Sequence, residues 1–503
     1  MIQTSTLTPY VTNLDRPVFA LRNLPEEVVA VLFAYYSRST GGLRENLAKL
    51  VEDGDIAVAV SENEDADLAL AREKAREFHE KWVVGYGHSS VAEHAVVHLA
   101  VEDVSILASK VIEDARLASF TEKSTRYVVF NESRYYTPSC FADSDVYRNA
   151  CRFLLGTYAS LMPRVIEEVR KRRPRTEKQT ERAWETACKA AACDILRYIL
   201  PTSTRTNIGI TANARTLEHL LVKMMSHPLQ ECRDLGKSMK REAQIVAPTL
   251  IKYASPSPYL IETGAALLSL AETLGPGTSG AKPCLENCVS LICGPANADI
   301  DLAAALLYEH SQSPWTQVRQ AVEALPAEKR REIIEAAIRG EESGGRRGRF
   351  DQPIRALEHL SYTFEFTLDF GAFRDIQRHR MATQSRQRLT DAWGYSTPPE
   401  IAEFGLLDVF EECMKRASDA YRTLVPIDRE AASYVLPLAS RVRVLFTWNL
   451  RELHHFISLR SGKQGHAAYR KVAQDVWKAV DEHDPLMAEF IRVDMRDYGL
   501  SRG

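Results

Sequence analysis

The sequence predicts an α+β chain in which one unit is written twice in tandem. Three observations predict it: strand-like alternation followed by helical stretches, polar motifs that recur at fixed offsets, and a Pro-, Gly- and Ser-rich junction near the middle of the 503 residues. Length alone allows two or three domains. The repeat reduces this to two, residues 1–260 and 288–503, with a linker over 261–287.

The offsets define the copies. Leu200-Pro201 recurs as Leu436-Pro437, and Asn213-x-Arg215 with His219 recurs as Asn449-x-Arg451 with His455, both at an offset of 236. Earlier, Glu93-His94 recurs as Glu358-His359 at 265, and Arg116 as Arg380 at 264. The second copy is therefore shortened between Arg380 and Leu436. Two repeats are too few for a solenoid, so a tandem duplication is the reading.

Taken in order, each copy opens with a strand and a helix. In the first, Pro17 to Leu21 reads as the strand and Pro25 to Tyr36 as the helix. In the second, Cys288 to Ile292 precedes a helix from Asp299 to Glu309. Further on, Tyr362, Phe364, Phe366 and Leu368 alternate with polar residues from Ser361 onward, the signature of a half-buried strand. Asp369 is placed to cap the helix running toward Arg378. In the first copy Val97, Leu99 and Val101 alternate less cleanly, and Asp103 takes the capping place. The Asn-x-Arg-x3-His segments read as helices with Arg and His on one face.

Composition narrows the function. Lys plus Arg is 64 against 67 Asp plus Glu, a formal charge of −3, which argues against nucleic acid or another polyanion as partner. A mean hydropathy of −0.25 and no apolar run long enough to span a bilayer exclude a membrane segment. The opening MIQTSTLTPYVTNLDRPVFA lacks the basic and apolar regions of a secretory signal. Nine scattered cysteines read as reduced thiols in a cytoplasmic protein. The tightest group, Cys284, Cys288 and Cys293, has no CxxC pair and no nearby His, so no metal site is expected.

Three polar groups recur, each with a plain alternative. Gly87-His88-Ser89-Ser90 leads to Glu93-His94, which is either a structural hydrogen-bonded pair at a strand edge or a catalytic one. The second copy keeps Glu358-His359 beside a basic loop, Gly344 to Arg349, either a solvated tip or a cover for a phosphate. Arg378-His379-Arg380 at a helix end suits an anion, yet cations there also offset the helix dipole. Arg197, next to Leu200-Pro201, has Ser433 as its counterpart, whereas Arg460 has Met224. A buried Arg without a partner is costly, so these positions suggest a bound anion, with salt bridges as the alternative.

Together these motifs resemble the flavin-dependent thymidylate synthase family. Its signature is Arg-His-Arg followed by a Ser-x-Arg-Tyr segment, with an earlier Gly-His-x-Ser-x-x-Glu-His and later Arg-x-x-Leu-Pro, Asn-x-Arg and Arg. The first copy has Gly87-His88, Glu93-His94, Arg116, Ser124, Arg126-Tyr127, Arg197, Leu200-Pro201, Asn213 and Arg215, but Asp114-Ala115 replaces Arg-His. The second has Glu358-His359, Arg378-His379-Arg380, Leu436-Pro437, Asn449, Arg451 and Arg460, with Arg388 at the signature Ser. The losses are largely complementary.

The resemblance implies two domains, each a largely antiparallel sheet with long helices. It implies FAD held by Arg378, His379, Arg380, His359, Asn449, Arg451 and His94. The nucleotide would be held by Ser124, Arg126, Arg197 and Glu122, and Arg460 would stabilise negative charge on the pyrimidine during catalysis. It implies methylation of dUMP to dTMP with NADPH and methylenetetrahydrofolate as co-substrates. Complementary loss suggests one composite site per pair of copies, and two chains forming a homodimer that rebuilds a pseudo-tetramer. The alternative is a non-catalytic or repurposed flavin- or nucleotide-binding paralogue.

Overall fold

A computed structural model describes residues 7–36, 41–52, 89–131, 133–275, 288–341, 344–345, 347–348 and 351–499. The Gly87-His88 element, Cys284, Arg346 and Arg349 lie outside the described residues. The chain divides into two compact units, residues 1–104, 108–123 and 206–277 in one, and 105–107, 124–205 and 278–503 in the other. These units do not follow the repeat boundaries, because residues 124–205 of the first repeat belong to the second unit.

The first unit carries a sheet of β1 (Val96–Ser105), β2 (Ala118–Glu122) and β3 (Arg205–Asn213) in the order β1-β3-β2. Strands β2 and β3 are antiparallel, with Ala118 opposite Ala212 and Glu122 opposite Ile208. Along β3 Thr206, Ile208, Ile210 and Ala212 are buried while their neighbours are half exposed, as one-sided packing requires. Helices Glu26–Tyr36, Leu43–Glu52, Ala214–Met225 and Gln230–Val246 complete the unit, together with Pro258–Leu274.

Two expectations fail here, and the junction has structure of its own. Pro17 to Leu21 is not a strand: only Leu21 bridges, to Val11, and Val18 is 82% exposed, so these residues have no neighbouring strand to extend. Asp103 is no helix cap: it lies inside β1 in the left-handed region (φ 57°), and its N–H donates to Asn207 Oδ1. The segment read as linker contains most of helix Pro258–Leu274. Proline there starts a helix rather than breaking one, with Ser257 Oγ accepting from Leu260 N.

The second unit holds a four-stranded antiparallel sheet of β4 (Cys288–Cys293), β5 (Ser361–Asp369), β6 (Ala382–Arg386) and β7 (Arg441–Asn449), ordered β4-β5-β7-β6. The alternation read for β5 is realised: Tyr362, Phe364, Phe366 and Leu368 are fully buried. Phe366 packs edge-on to Phe446 at 5.4 Å, and Trp448 stacks on Phe456 at 4.6 Å. Asp369 caps as expected, its Oδ1 accepting from Ala372 N at 2.7 Å at the start of helix Phe370–Ile376. Helix Ala298–Tyr308 stands where the second copy's first helix was placed.

The same unit joins the two Leu-Pro segments. Thr202 N donates to Leu436 O and Leu438 N to Leu200 O, both at 2.9 Å, and Pro201 bridges Pro437. The flanking contacts repeat at the sequence offsets: Ile106 N to Thr204 O matches Phe370 N to Ser440 O. Long helices Asp145–Arg172, Glu181–Leu196 and Leu407–Leu424 pack around this seam. Cys288 is disulfide-bonded, against the expectation of reduced thiols throughout. Spacing along a chain does not report which sulfurs meet. Among the described residues no helix is long and apolar enough to cross a membrane.

Phe366→Ala removes a fully buried ring from the centre of the second sheet, so urea unfolding should show a loss of about 3–5 kcal/mol.

Candidate functional site

Both repeats use one local framework. In the first unit Asn213 Oδ1 accepts from Thr216 N at 2.8 Å, capping the Ala214–Met225 helix. Arg215 then reaches Glu93 Oε1 at 2.6 Å, and His94 stacks on Phe33 at 4.5 Å. In the second unit Asn449 caps helix Leu450–Arg460 through Glu452 N, and Arg451 donates to Glu358 Oε1 at 2.7 Å. His359 stacks on Trp315 at 6.3 Å. The Glu of each Glu-His pair thus anchors the Arg of its Asn-x-Arg helix. Arg451 also donates to Pro353 O.

The second unit brings together cations from both repeats. Arg197 lies on the turn Arg197–Ile199, 2% exposed, and its two terminal nitrogens approach Asp375 Oδ2 at 3.4 and 3.5 Å. Its Nε is buried and has no partner. Burial opposes ionisation of Asp375, but Arg197, Arg378, Arg126 and Arg460 overcome it and hold the carboxyl well below the usual range. Four arginines, two from each repeat, therefore act on one buried carboxylate.

The remaining cations are oriented by other groups. Arg126 donates to Asp194 Oδ1 and to Tyr469 Oη, both at 3.1 Å, and its own N–H donates to Ser124 Oγ. Arg460 Nε donates to His379 Nε2 at 2.9 Å, and its guanidinium lies 5.1 Å from the Tyr469 ring. Because Arg only donates, His379 Nε2 accepts, and its Nδ1–H must donate to Glu452 Oε1 at 2.9 Å. Burial and then Arg460 lower the His379 pKa against the pull of Glu452, so the ring is neutral. Arg378 is exposed and makes no hydrogen bond or ion pair among the described residues.

Other expected site residues lie elsewhere. Glu122 and His94 are in the first unit, where both Glu122 oxygens are taken, by Ser109 Oγ at 2.9 Å and Lys110 Nζ at 3.0 Å. Arg388, at the signature Ser position, donates to Glu430 Oε1. The basic loop is partly tucked in: Arg347 donates to Nδ1 of buried His454 at 3.3 Å.

Sequence reading missed Asp375, Asp194, Glu452, Tyr469 and His466. An acid one turn before Arg378-His379-Arg380 was the available signal for Asp375. His466 caps helix Ala467–His483 by accepting from Ala468 N, while its Nε2 faces the Asp194 carbonyl. It borders a cleft of ≈ 590 Å³ lined also by Asp194, Tyr198, Asp369, Arg441 and Arg470.

A family profile described as "Thymidylate synthase complementing protein" matches residues 38–249 and 294–486. A "UPF0159 protein" of Chlamydia muridarum is 36% identical over 99% of this chain and 96% of its own length. A Thermoplasma acidophilum protein of the same description is 29% identical over 86% and 91%. The flavin-dependent thymidylate synthase of Thermococcus onnurineus is 30% identical over 38% of this chain and 73% of its own. Among solved structures, the flavin-dependent thymidylate synthase of Helicobacter pylori complexed with FAD and dUMP is 19% identical. It covers 41% of this chain and 99% of its own, at a TM-score of 0.30.

Three buried histidines give the stability a pH dependence. Burial lowers the pKa of His379 and His466, and pushes His454 down to about 3 from an ordinary 6.5. Because the folded values lie below the unfolded one, their stabilisation is full above about 6.5 and is lost as the pH falls. Unfolding free energy should therefore drop between pH 7.5 and 5, and His454→Gln should reduce that drop by about 2 kcal/mol.

Proposed function

The chain belongs to the family of thymidylate synthase complementing proteins, the flavin-dependent thymidylate synthases, with its domain carried twice in tandem, and from that premise we propose that it methylates a pyrimidine nucleotide, dUMP to dTMP, at a composite site. The supporting observation is the group of Arg126 and Arg197 from the first repeat with Arg378 and Arg460 from the second, in one compact unit around Asp375. Each copy alone lacks part of this set. Together they supply it.

The donors fit phosphate-bearing ligands. Arg378 is exposed, with its guanidinium uncommitted among the described residues. In this reading Arg378, Asn449 and His359 hold FAD, while Ser124, Arg126 and Arg197 hold the nucleotide. Bound FAD supplies hydride, with NADPH as its reductant and methylenetetrahydrofolate as the carbon source. Neutral His379, fixed by Glu452, leaves the full charge of Arg460 for the pyrimidine ring, where a localised cation stabilises developing negative charge. Two chains forming a homodimer would bring four copies together.

One observation favours a second reading, a binding protein without turnover. At the signature Ser position stands Arg388, engaged by Glu430. The visible spectrum separates the two in part: flavin bands in the purified or FAD-supplemented protein are expected, and their absence would sink the enzyme reading. Arg126→Ala and Arg378→Ala should each lower thymidylate formation by at least about 100-fold with the fold intact by circular dichroism. Full activity in either variant would rule out the shared site.

A further inference from the structure

We propose that Asp375 is a specificity-determining residue of the arginine site: its carboxylate takes the place of one anionic group among Arg126, Arg197, Arg378 and Arg460, and so limits the negative charge that a ligand can bring. The inference rests on the nucleotide reading for the identity of the ligand, though not for the presence of an anion site.

Three observations lead to it. First, the Arg197–Asp375 contact is loose. Both approaches, 3.4 and 3.5 Å, are to a single carboxylate oxygen, beyond the ~2.7–2.9 Å of a well-made charge-assisted bond. With Nε unpartnered as well, a 2%-exposed guanidinium keeps donor capacity in reserve. Second, glycine at position 371 lets the start of the Phe370–Ile376 helix lie close against that guanidinium. A Cβ on Gly371 would stand 3.6 Å from an Arg197 terminal nitrogen and 3.1 Å from Asp369 Oδ1. Third, the other cations are unequally engaged. Arg126 is bound to Asp194, Tyr469 and the Gln464 carbonyl, and Arg460 gives Nε to His379, whereas Arg378 is exposed and uncommitted.

This division assigns the parts of a ligand. A phosphate goes to Arg378, which is exposed and uncommitted, and an uncharged face of the ligand meets the buried Arg197–Asp375 pair. A second anionic group at Arg197 would have to displace or lie against the Asp375 carboxylate, at a cost set by like-charge repulsion in a poorly hydrated site. The first-repeat counterpart of Asp375 is Val111, which carries no charge, so the framework does not demand an acid at this position.

Isothermal titration with inorganic phosphate, and separately with dUMP, tests this on the full chain as wild type, Asp375→Asn and Asp375→Glu. Asp375→Asn should bind phosphate at least about tenfold more tightly than wild type, and Asp375→Glu within about twofold of it. Unchanged or weaker phosphate binding by Asp375→Asn, or no phosphate binding by any variant, overturns the inference. If phosphate tightens while dUMP binds to none of the three, the inference stands and the nucleotide reading falls. If dUMP binds but Asp375→Asn leaves phosphate unchanged, the reverse holds. Should Asp375→Asn fail to fold, Asp375→Ser, which vacates room for a phosphate oxygen, carries the same expectation.

Discussion

The site depends on the hydrogen bonding of two short proline-containing segments to each other. Backbone N–H groups buried away from water must find acceptors, and those of Thr202, Ser203, Leu438 and Ala439 find them across the seam between the Leu-Pro segments. This pairing sets a register. Arg197 precedes Leu200 by three residues, so the bond from Leu438 to Leu200 also sets where the guanidinium enters. Phe370 and Gly371 bond to Ser440 and Leu438, which ties the helix carrying Asp375 to the same seam. A slip in register would separate the charges that the buried pair requires.

Around that seam, hydrogen-bond direction does much of the electrostatic work. His379 sits between a guanidinium that can only donate and a carboxylate that accepts, so its tautomer follows from its neighbours. Burial keeps it uncharged beside Arg460. A protonated ring would repel the cation it positions. His466 follows the same logic through backbone groups, accepting from Ala468 N with its other nitrogen toward the Asp194 carbonyl.

Much of this was legible in the sequence, for definite reasons. Alternation along Ser361 to Leu368 survives because one face of β5 is packed by aromatics, and the period-2 pattern records that packing directly. The offsets survive because both copies need the local Asn cap and the Glu–Arg anchor that ties its helix to a segment far back in the chain. Pro17 to Leu21 misled because β-compatible residues without a partner strand cannot be told from a strand by composition. Asp103 misled because a capping side chain and a residue in the left-handed region draw on the same residue types. The role of Asp375 is long-range: its partners lie up to 249 positions away, at Arg126, and no local pattern encodes that.

Placing both copies in one polypeptide has a further consequence. In a symmetric assembly of identical chains, every substitution appears at all equivalent positions, so an acid introduced beside one cluster of cations is introduced beside its mate. Here position 375 holds Asp and position 111 holds Val, and each can change alone. Carrying the domain twice in one chain gives the protein independent control over positions that symmetry would otherwise couple. One copy can be tuned for ligand chemistry while the other is tuned for packing.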